Sequence, residues 1–393
     1  MNKNNLKNNW NMGLEEQLVD LSDVLRNSQA SIIKVIGVGG GGSNAVNYMY
    51  EQGIVDVSFV VCNTDQQALD HSPVNQCIML GEDGLGAGGR PENARAAVEQ
   101  SLSRIEQMLK STPTKMVFIT AGMGGGTGTG AAPVIAKVAH DLGILTVGIV
   151  TIPFAFEGTQ KINQALRGVR EMSKNVDAIL VVNNEKLCKI YPELNLRNAF
   201  DKANEVLTIA AKGIAEIITV HGYMNVDFAD VNTIMKDSGV AIMNTGIGEG
   251  ENRVTKAIED ALNSPLLDNT DVRDSKKILL NICCSATSGI RMEEIRQVNE
   301  FMDQMGDDIE VISGVTFDES LGEKVRITII ATGFSCDALP KPTKTNDDKE
   351  IDRSRDIYYD NKQGHRKTHY TLDQLDNEEK LAEIQNEPAY KRL

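Results

Sequence analysis

From Ser31 onward, short apolar runs alternate with amphipathic stretches along the chain. Ile32–Val38, Val57–Cys62, Met116–Thr120, Ile144–Ile152 and Ala178–Val182 are compact and apolar, the signature of buried strands. Between them, Ala45–Gln52, Arg90–Leu109, Ala131–Leu142 and Lys161–Asn175 repeat apolar residues at three-to-four spacing, the period of a helix face. Strands separated by helices predict an α/β fold with a doubly wound, mostly parallel sheet. A longer stripe then runs from about Arg197 to His221 through Ala199, Phe200, Ala203, Val206, Leu207, Ala210, Ile214, Ile217 and Ile218, with Gly222 as its stop. About 25 residues make a helix of roughly 37 Å, long enough to connect two domains. Beyond it, Gly239–Asn244, Lys277–Cys284, Asp308–Val315 and Val325–Thr332 read as strands, with helices at Arg253–Leu262 and Met292–Met305. They predict a second, smaller α/β domain with a mixed sheet.

The pattern fails at both ends of the chain. Residues 1–30 are Asn-rich, and 336–378 are polar and poor in aliphatics, the composition of a disordered linker. Apolar character returns at 379–393 with Leu381, Ile384, Pro388, Tyr390 and Leu393. The expected division is therefore a flexible extension (1–30), a first α/β domain (31–196), a connecting helix (197–223), a second domain (224–335), a linker (336–378) and a tail peptide (379–393).

A length of 393 residues and 41% hydrophobic content suit about two cores. The net charge of −15 argues against nucleic acid or an anionic membrane as the main partner. Six cysteines without CxxC pairing read as reduced thiols and favour a cytoplasmic setting. No apolar run approaches the roughly 18 residues a membrane span needs, and the first 30 residues lack the apolar core of a secretory signal, so membrane contact is expected only indirectly. The five histidines show no metal spacing and receive no role.

Gly124–Gly130 holds five glycines and two threonines in seven residues, between a strand and a helix. That arrangement aims a row of backbone N–H groups at a phosphate, to which Thr127 and Thr129 can add hydroxyls. No Lys stands in the Walker A position. A tight turn needs one or two glycines, not five. Gly37–Gly42 also follows a strand, and alone it satisfies GxGxxG, with Asp65 standing 23 residues beyond Gly42 where a ribose-binding acid belongs. A nicotinamide-dependent oxidoreductase is thus an alternative. Asn63-Thr64-Asp65 and Gly84–Arg90 add further strand-end loops, and several such loops lining one crevice suit a triphosphate better than a dinucleotide.

Glu157 and Lys161 follow another strand end, where an acid could bind ribose and a lysine could reach phosphate; Glu in a first helical turn is the plainer account. Asp227 and Asp230, three apart beyond the long helix, fit an N-cap and an N3 carboxylate. With Asn225 they could instead polarise a water or hold a cation. They stand at the far end of the long helix from the glycine loops, so two subunits stacked head to tail could join what one cannot, and contacts of that kind build an open filament.

Assembled, these residues resemble the FtsZ family of tubulin-like cell-division GTPases over about 31–335 and the last few residues. Ala121–Gly130 resembles the tubulin signature, and Asn225-Val226-Asp227-Phe228-Ala229-Asp230-Val231 the family's synergy loop. The resemblance implies a GTP-binding domain (31–196), a connecting helix and an activation domain (224–335). It implies hydrolysis of GTP to GDP with Mg²⁺, in head-to-tail filaments of a bacterial division ring, with each active site completed between protomers. Gly40, Gly41 and Asn44 would face phosphate and base, and Gly126, Thr127 and Gly128 the β- and γ-phosphates. Glu157 would contact ribose, and Asn184, Phe200 and Asn204 would hold guanine. Asn225, Asp227 and Asp230 would act on the neighbour's nucleotide. Glu387–Arg392 is similar to the tail peptide that binds a membrane-tethering actin-like partner and other division proteins at mid-cell. Lys161 departs from the family, where Arg is frequent, and replaces a planar fork by a point charge. A nucleotide-switched scaffold with negligible hydrolysis is the second alternative.

Overall fold

The computed structural model describes residues 31–334, except 55, 221, 225, 263–271, 304 and 306–308, and beyond them Arg355. The N-terminal extension, the tail peptide, the linker apart from Arg355, and Asn225 all lie outside the described residues. Among the described residues, ten strands form one sheet: β1 (Ile33–Val38), β2 (Val57–Asn63), β3 (Cys77–Met79), β4 (Met116–Gly122), β5 (Leu145–Ile152), β6 (Ala178–Asn183), β7 (Gly239–Gly248), β8 (Lys277–Cys284), β9 (Glu310–Phe317) and β10 (Val325–Thr332). Their order across the sheet is β3-β2-β1-β4-β5-β6-β7-β10-β8-β9. Every pair from β3 to β7 is parallel; β10 runs antiparallel to both β7 and β8, and β9 returns parallel to β8. The second group of strands is mixed, as the sequence predicts. It continues the first through a short parallel contact, Ala178 with Gly239 and Ile179 with Val240.

Strands β1, β5 and most of β4 are buried on both faces, which is why they read as mainly apolar runs, interrupted only by Lys34, Thr120, Thr146 and Thr151. One face carries α3 (Pro91–Gln100), α4 (Leu102–Lys110), α5 (Thr127–Asp141) and α6 (Thr159–Ser173), whose Ala94, Ile105, Ile135, Ala139 and Val169 share a core with Ile36, Ile119 and Val150. On the other face lie α1 (Gly39–Glu51), α8 (Leu196–Thr219) and α9 (Phe228–Met235). Leu207, Ala211 and Ile214 of α8 share that core with Ile149 of β5 as well as Leu279 and Ile330 of β8 and β10, so the long helix ties both strand groups together. A separate core under α10 (Arg253–Leu262) and α11 (Met292–Asp303) covers the far face of β8 and β10.

The one long helix anticipated at Arg90–Leu109 is two. Ser101 has left helical geometry (φ −105°, ψ 5°), and its hydroxyl accepts the Gly81 N–H at 3.0 Å, so a side-chain bond to a loop outcompetes helix continuation. Short elements escaped the pattern altogether: α2 (Gln66–Asp70), β3 and α7 (Asn184–Ile190) are below the length at which periodicity shows.

Candidate functional site

Two helices begin where the strand order reverses. β1 runs directly into α1 at Gly39, and its neighbour β4 leads into α5 at Thr127. Sequence patterning starts these helices at Ala45 and Ala131, but each begins four to six residues earlier, so the glycines themselves occupy the first turns. Neither N-terminus has a side-chain cap or an acidic residue in its first turn. The first N–H groups of a helix have no partner within it, and the dipole makes that end positive, so the pair forms a concentrated anion site. The two turns meet closely: Gly39 sits at φ +71°, and a Cβ there would lie 2.7 Å from the Gly128 nitrogen. Gly40, Gly41 and Asn44 are exposed at this edge, Gly126 and Gly128 are buried in the turn, and Thr127 is half-buried.

The neighbouring loops close around this point. Thr64 and Thr127 share a hydroxyl hydrogen bond of 2.7 Å across the β2 and β4 ends. Asn63 is 2% exposed; its Oδ1 accepts the Thr64 N–H, while its Nδ2 has no partner among the described residues. Asp65, the acid a dinucleotide site requires for ribose, instead caps α2 by accepting the Gln67 and Ala68 N–H groups at 3.0 and 3.4 Å. That gives Asp65 a structural role that needs no ribose.

A second set of side chains gathers beside the ends of β5 and β6. Phe154 is fully buried, its ring stacked on Phe156 at 5.2 Å and edge-on to Phe200 at 5.1 Å. The helical stripe marks Phe200 as apolar, yet it remains 40% exposed and offers a ring to a planar ligand. Asn204 follows one turn later on α8 and is half-buried. Asn184 opens α7 at 5% exposure, with Oδ1 lacking a partner among the described residues. Buried polar atoms are rarely left alone, so such acceptors mark places where a ligand donor fits. Glu185 Oε2 accepts the Ala155 N–H at 2.8 Å and fastens α7 to the Phe154–Phe156 loop.

Glu157 is not in the first turn of α6, where the plainer sequence account puts it. It ends a separate 3-10 turn, Ala155–Glu157, and accepts the Phe154 N–H at 3.0 Å. Its other oxygen pairs with Lys161 at 3.3 Å, so the two residues expected to serve ribose and phosphate stand together on one side of the crevice. Lys202 lies over the Tyr191 ring at 5.2 Å and pairs with Glu205 at 2.8 Å. Burial lowers its pKa, but the hydrogen bond and charge of Glu205 outweigh that and hold it above the usual lysine value.

The acidic pair lies at the other edge of the sheet. Asp227 caps α9 by accepting the Asp230 N–H at 2.9 Å, and Asp230 accepts the Asp227 N–H at 3.1 Å. Both halves of the capping arrangement anticipated from spacing are present. It engages Asp227 Oδ1 and Asp230 Oδ2, leaving one oxygen of each carboxylate for another donor. Lys115, just before β4, places Nζ 5.9 Å from the centre of the Phe228 ring in the first turn of α9. The acids therefore sit by the start of β4, and the glycine turns by its end. Seven residues of strand separate the two by about 23 Å.

Sequence reasoning passed over Thr64 as an individual donor, Phe154 as the ring backing Phe200, and Gln164 of α6, whose amide reaches two glycine loops. Only Thr64 carried a signal, through its strand-end position. The five described cysteines are free thiols. Among the described residues, no helix is long and apolar enough to cross a membrane.

Known proteins resemble the chain across this whole frame. The family model for the tubulin/FtsZ GTPase domain matches residues 32–192, and that for the FtsZ C-terminal domain matches 239–335. Cell division protein FtsZ of Porphyromonas gingivalis is 49% identical over 389 residues, covering 92% of this chain and 85% of the relative. That of Buchnera aphidicola subsp. Baizongia pistaciae is 46% identical over 311 residues, 77% of this chain and 79% of its own. Among solved structures, the empty FtsZ dimer of M. jannaschii superposes with a TM-score of 0.72 at 34% identity, covering 84% of this chain and 98% of that one. The GTPγS-bound protofilament of CetZ2 from Haloferax volcanii gives 0.68 at 20% identity over 83% of this chain and 98% of that one, a likeness of fold alone.

Proposed function

The chain belongs to the FtsZ family of tubulin-like cell-division GTPases, and on that premise we propose that each of its active sites is completed by two copies stacked head to tail. The observation behind this reading is the separation just described, with anion-seeking helix turns at one edge of the sheet and the acidic pair at the other, about 23 Å apart along β4. One chain cannot bring both to one nucleotide; successive chains in a filament can.

In this reading the N–H groups at the starts of α1 and α5 receive the phosphates, Gly40 and Gly41 from one helix and Gly126, Thr127 and Gly128 from the other. Glu157 takes ribose hydroxyls and Lys161 a phosphate oxygen once their mutual pair opens. Guanine lies on Phe200; its ring N–H and amino group suit the unpartnered Asn184 Oδ1, and Asn204 and Asn44 complete the pocket. Phosphoryl transfer asks for positioning and charge stabilisation rather than covalent catalysis. Asp227 and Asp230 of one copy, with Asn225, orient a water against the γ-phosphorus of the next. The water oxygen forms the new P–O bond, the bond to the β-phosphate oxygen breaks, and the water's proton leaves through a carboxylate or solvent.

Magnesium fits the oxygen-rich surroundings of the phosphates, where Thr64 and Thr127 hydroxyls stand 2.7 Å apart. When bound, it would offset the charge developing on the transferred group. The remaining assignments rest on the resemblance of Glu387–Arg392: the tail peptide takes a membrane-tethering actin-like partner and other division proteins, placing a cytoplasmic chain at the mid-cell ring. The proposed division into a GTP-binding domain (31–196), connecting helix (197–223) and activation domain (224–335) rests on the family resemblance over about 31–335.

A mixing experiment tests the shared site. Asp230→Ala keeps the nucleotide edge and loses the acid; Gly126→Trp blocks the phosphate turn and keeps the acid. Each alone should hydrolyse GTP poorly, and their mixture should recover activity. A mixture no more active than its parts would refute the two-copy site.

A further inference from the structure

Resting on the reading that the Gly124–Gly130 turn holds a polyphosphate, we propose that Gln164 is the positioning residue that sets the direction of this turn's N–H groups. Gln164 lies on α6, half-buried, with its Nε2 donating toward three carbonyl oxygens: Gly124 and Gly125 at 3.0 Å each, and Gly89 at 3.2 Å. The reversed amide would bring its own oxygen against the same three oxygens, so the contacts fix which end of the side chain faces the loops. Two N–H groups are shared among acceptors from two separate segments.

The consequence follows from peptide geometry. In a trans peptide the C=O and the following N–H point opposite ways, and every peptide bond described here is trans. Holding the carbonyls of Gly124 and Gly125 toward α6 turns the N–H groups of Gly125 and Gly126 away from it, side by side. Neighbouring N–H groups aimed the same way make an anion-binding concavity. Among the described residues no acceptor is recorded for either of them, and Gly125 is exposed. The flanking Gly124 N–H is already committed to Thr129 Oγ1 at 2.9 Å.

Two further observations show that the approach is built. Gly124 adopts φ +101°, and a Cβ there would lie 2.7 Å from Pro153 and 3.0 Å from the Lys161 carbonyl at the start of α6. Only a residue without a side chain lets the turn come near enough for Gln164 to reach it. The third acceptor, Gly89, belongs to the Gly84–Arg90 loop, so one amide registers that loop against the phosphate turn.

Gln164→Met preserves bulk and helix propensity while deleting both donors, and Gln164→Glu does the same with a carboxylate set against the three carbonyls. Binding of GTP, GDP and GMP would be measured by competition against a fluorescent GTP analogue, beside the melting temperature without nucleotide. Losing about two neutral hydrogen bonds' worth of positioning should weaken GTP and GDP roughly tenfold in Gln164→Met, and further in Gln164→Glu. GMP, which has no outer phosphates for the turn, should change less than about twofold, a smaller effect than one such bond. Wild-type affinity for GTP in a folded Gln164→Met would overturn the proposal, as would equal losses for all three nucleotides, which mark general damage. If Gln164→Met does not fold, the same comparison on Gln164→Glu decides. Failure of the unaltered protein to bind GTP would instead refute the polyphosphate reading itself.

Discussion

Replacing Asp227 separates the capping job its side chain performs from the catalytic one proposed for it. Its Oδ1 accepts the Asp230 N–H at 2.9 Å and so starts α9, while its second oxygen is the one proposed to orient water on the adjoining copy. Asp227→Asn keeps a capping oxygen, and Asn is as good a helix cap as Asp, so stability should move by only a few tenths of a kcal/mol. Asp227→Ala removes the cap and should lower stability by about 1 kcal/mol, or about 2 °C in melting temperature for a folded body of this size. Turnover should not follow that order. Both variants lose the carboxylate, and each should fall at least about a hundredfold in kcat, equivalent to about 2.7 kcal/mol of barrier. GTP affinity should stay as in the unaltered protein, because the nucleotide edge is untouched. Scanning calorimetry, equilibrium binding, sedimentation of filaments and phosphate release above the assembly threshold give the four readings. An Asp227→Asn protein that assembles and hydrolyses at the normal rate would refute the catalytic assignment. Equal melting temperatures for Asp227→Ala and the unaltered protein would refute the cap as the device that holds α9.

Other consequences are equally direct. Phe200→Ala removes a ring that is 40% exposed, so it should weaken GTP by about 1–3 kcal/mol of lost base stacking in a binding assay, with little change in melting temperature. Gly130→Ala is favourable by helix propensity, yet its Cβ would lie 2.1 Å from the Pro91 carbonyl; about 1–3 kcal/mol of destabilisation should appear in denaturant unfolding. The buried Arg253–Glu294 pair, at 2.7 and 3.1 Å, should cost about 3–5 kcal/mol when Glu294 is replaced by Gln. Burial pushes the Glu294 carboxyl upward, but the Arg253 hydrogen bonds and the Arg291 N–H outweigh it, so its pKa lies below the ordinary 4.5. The unfolded chain thus takes up this proton first as pH falls, and the stabilisation, complete above about 4.5, should fade as pH drops through the folded value. Melting curves from pH 7 to 3 should show that acid sensitivity reduced in Glu294→Gln.

The elements that decide the architecture are the ones whose physics is local. Strands buried on both faces must be predominantly apolar, and α8 must repeat its small and aliphatic residues along one stripe, so both are legible in a single sequence. Asp227 and Asp230 were legible for the same reason, since a cap and its N3 partner are fixed by spacing alone. The break at Ser101 was hidden because its cause, the Gly81 N–H, lies twenty residues away. Gln164 was hidden in the same way: on an amphipathic helix a glutamine is ordinary until three carbonyls from two other segments surround it. Phe200 was ambiguous, because a helical stripe does not distinguish an aromatic turned into the core from one left bare at the helix end. Polar loops with unusual backbone declare a ligand; the side chains that aim them do not.

Placing the phosphate turns and the acids at opposite ends of β4 also fixes an arithmetic of turnover. If each site is shared between two copies as proposed, a filament of n subunits contains only n − 1 complete sites, because the nucleotide at one end faces no acid and the acid at the other end faces no nucleotide. Every cut removes one working site and every join creates one, so whatever sets filament length also sets the rate of hydrolysis per subunit. Short filaments hold a larger share of nucleotide that no neighbour can attack.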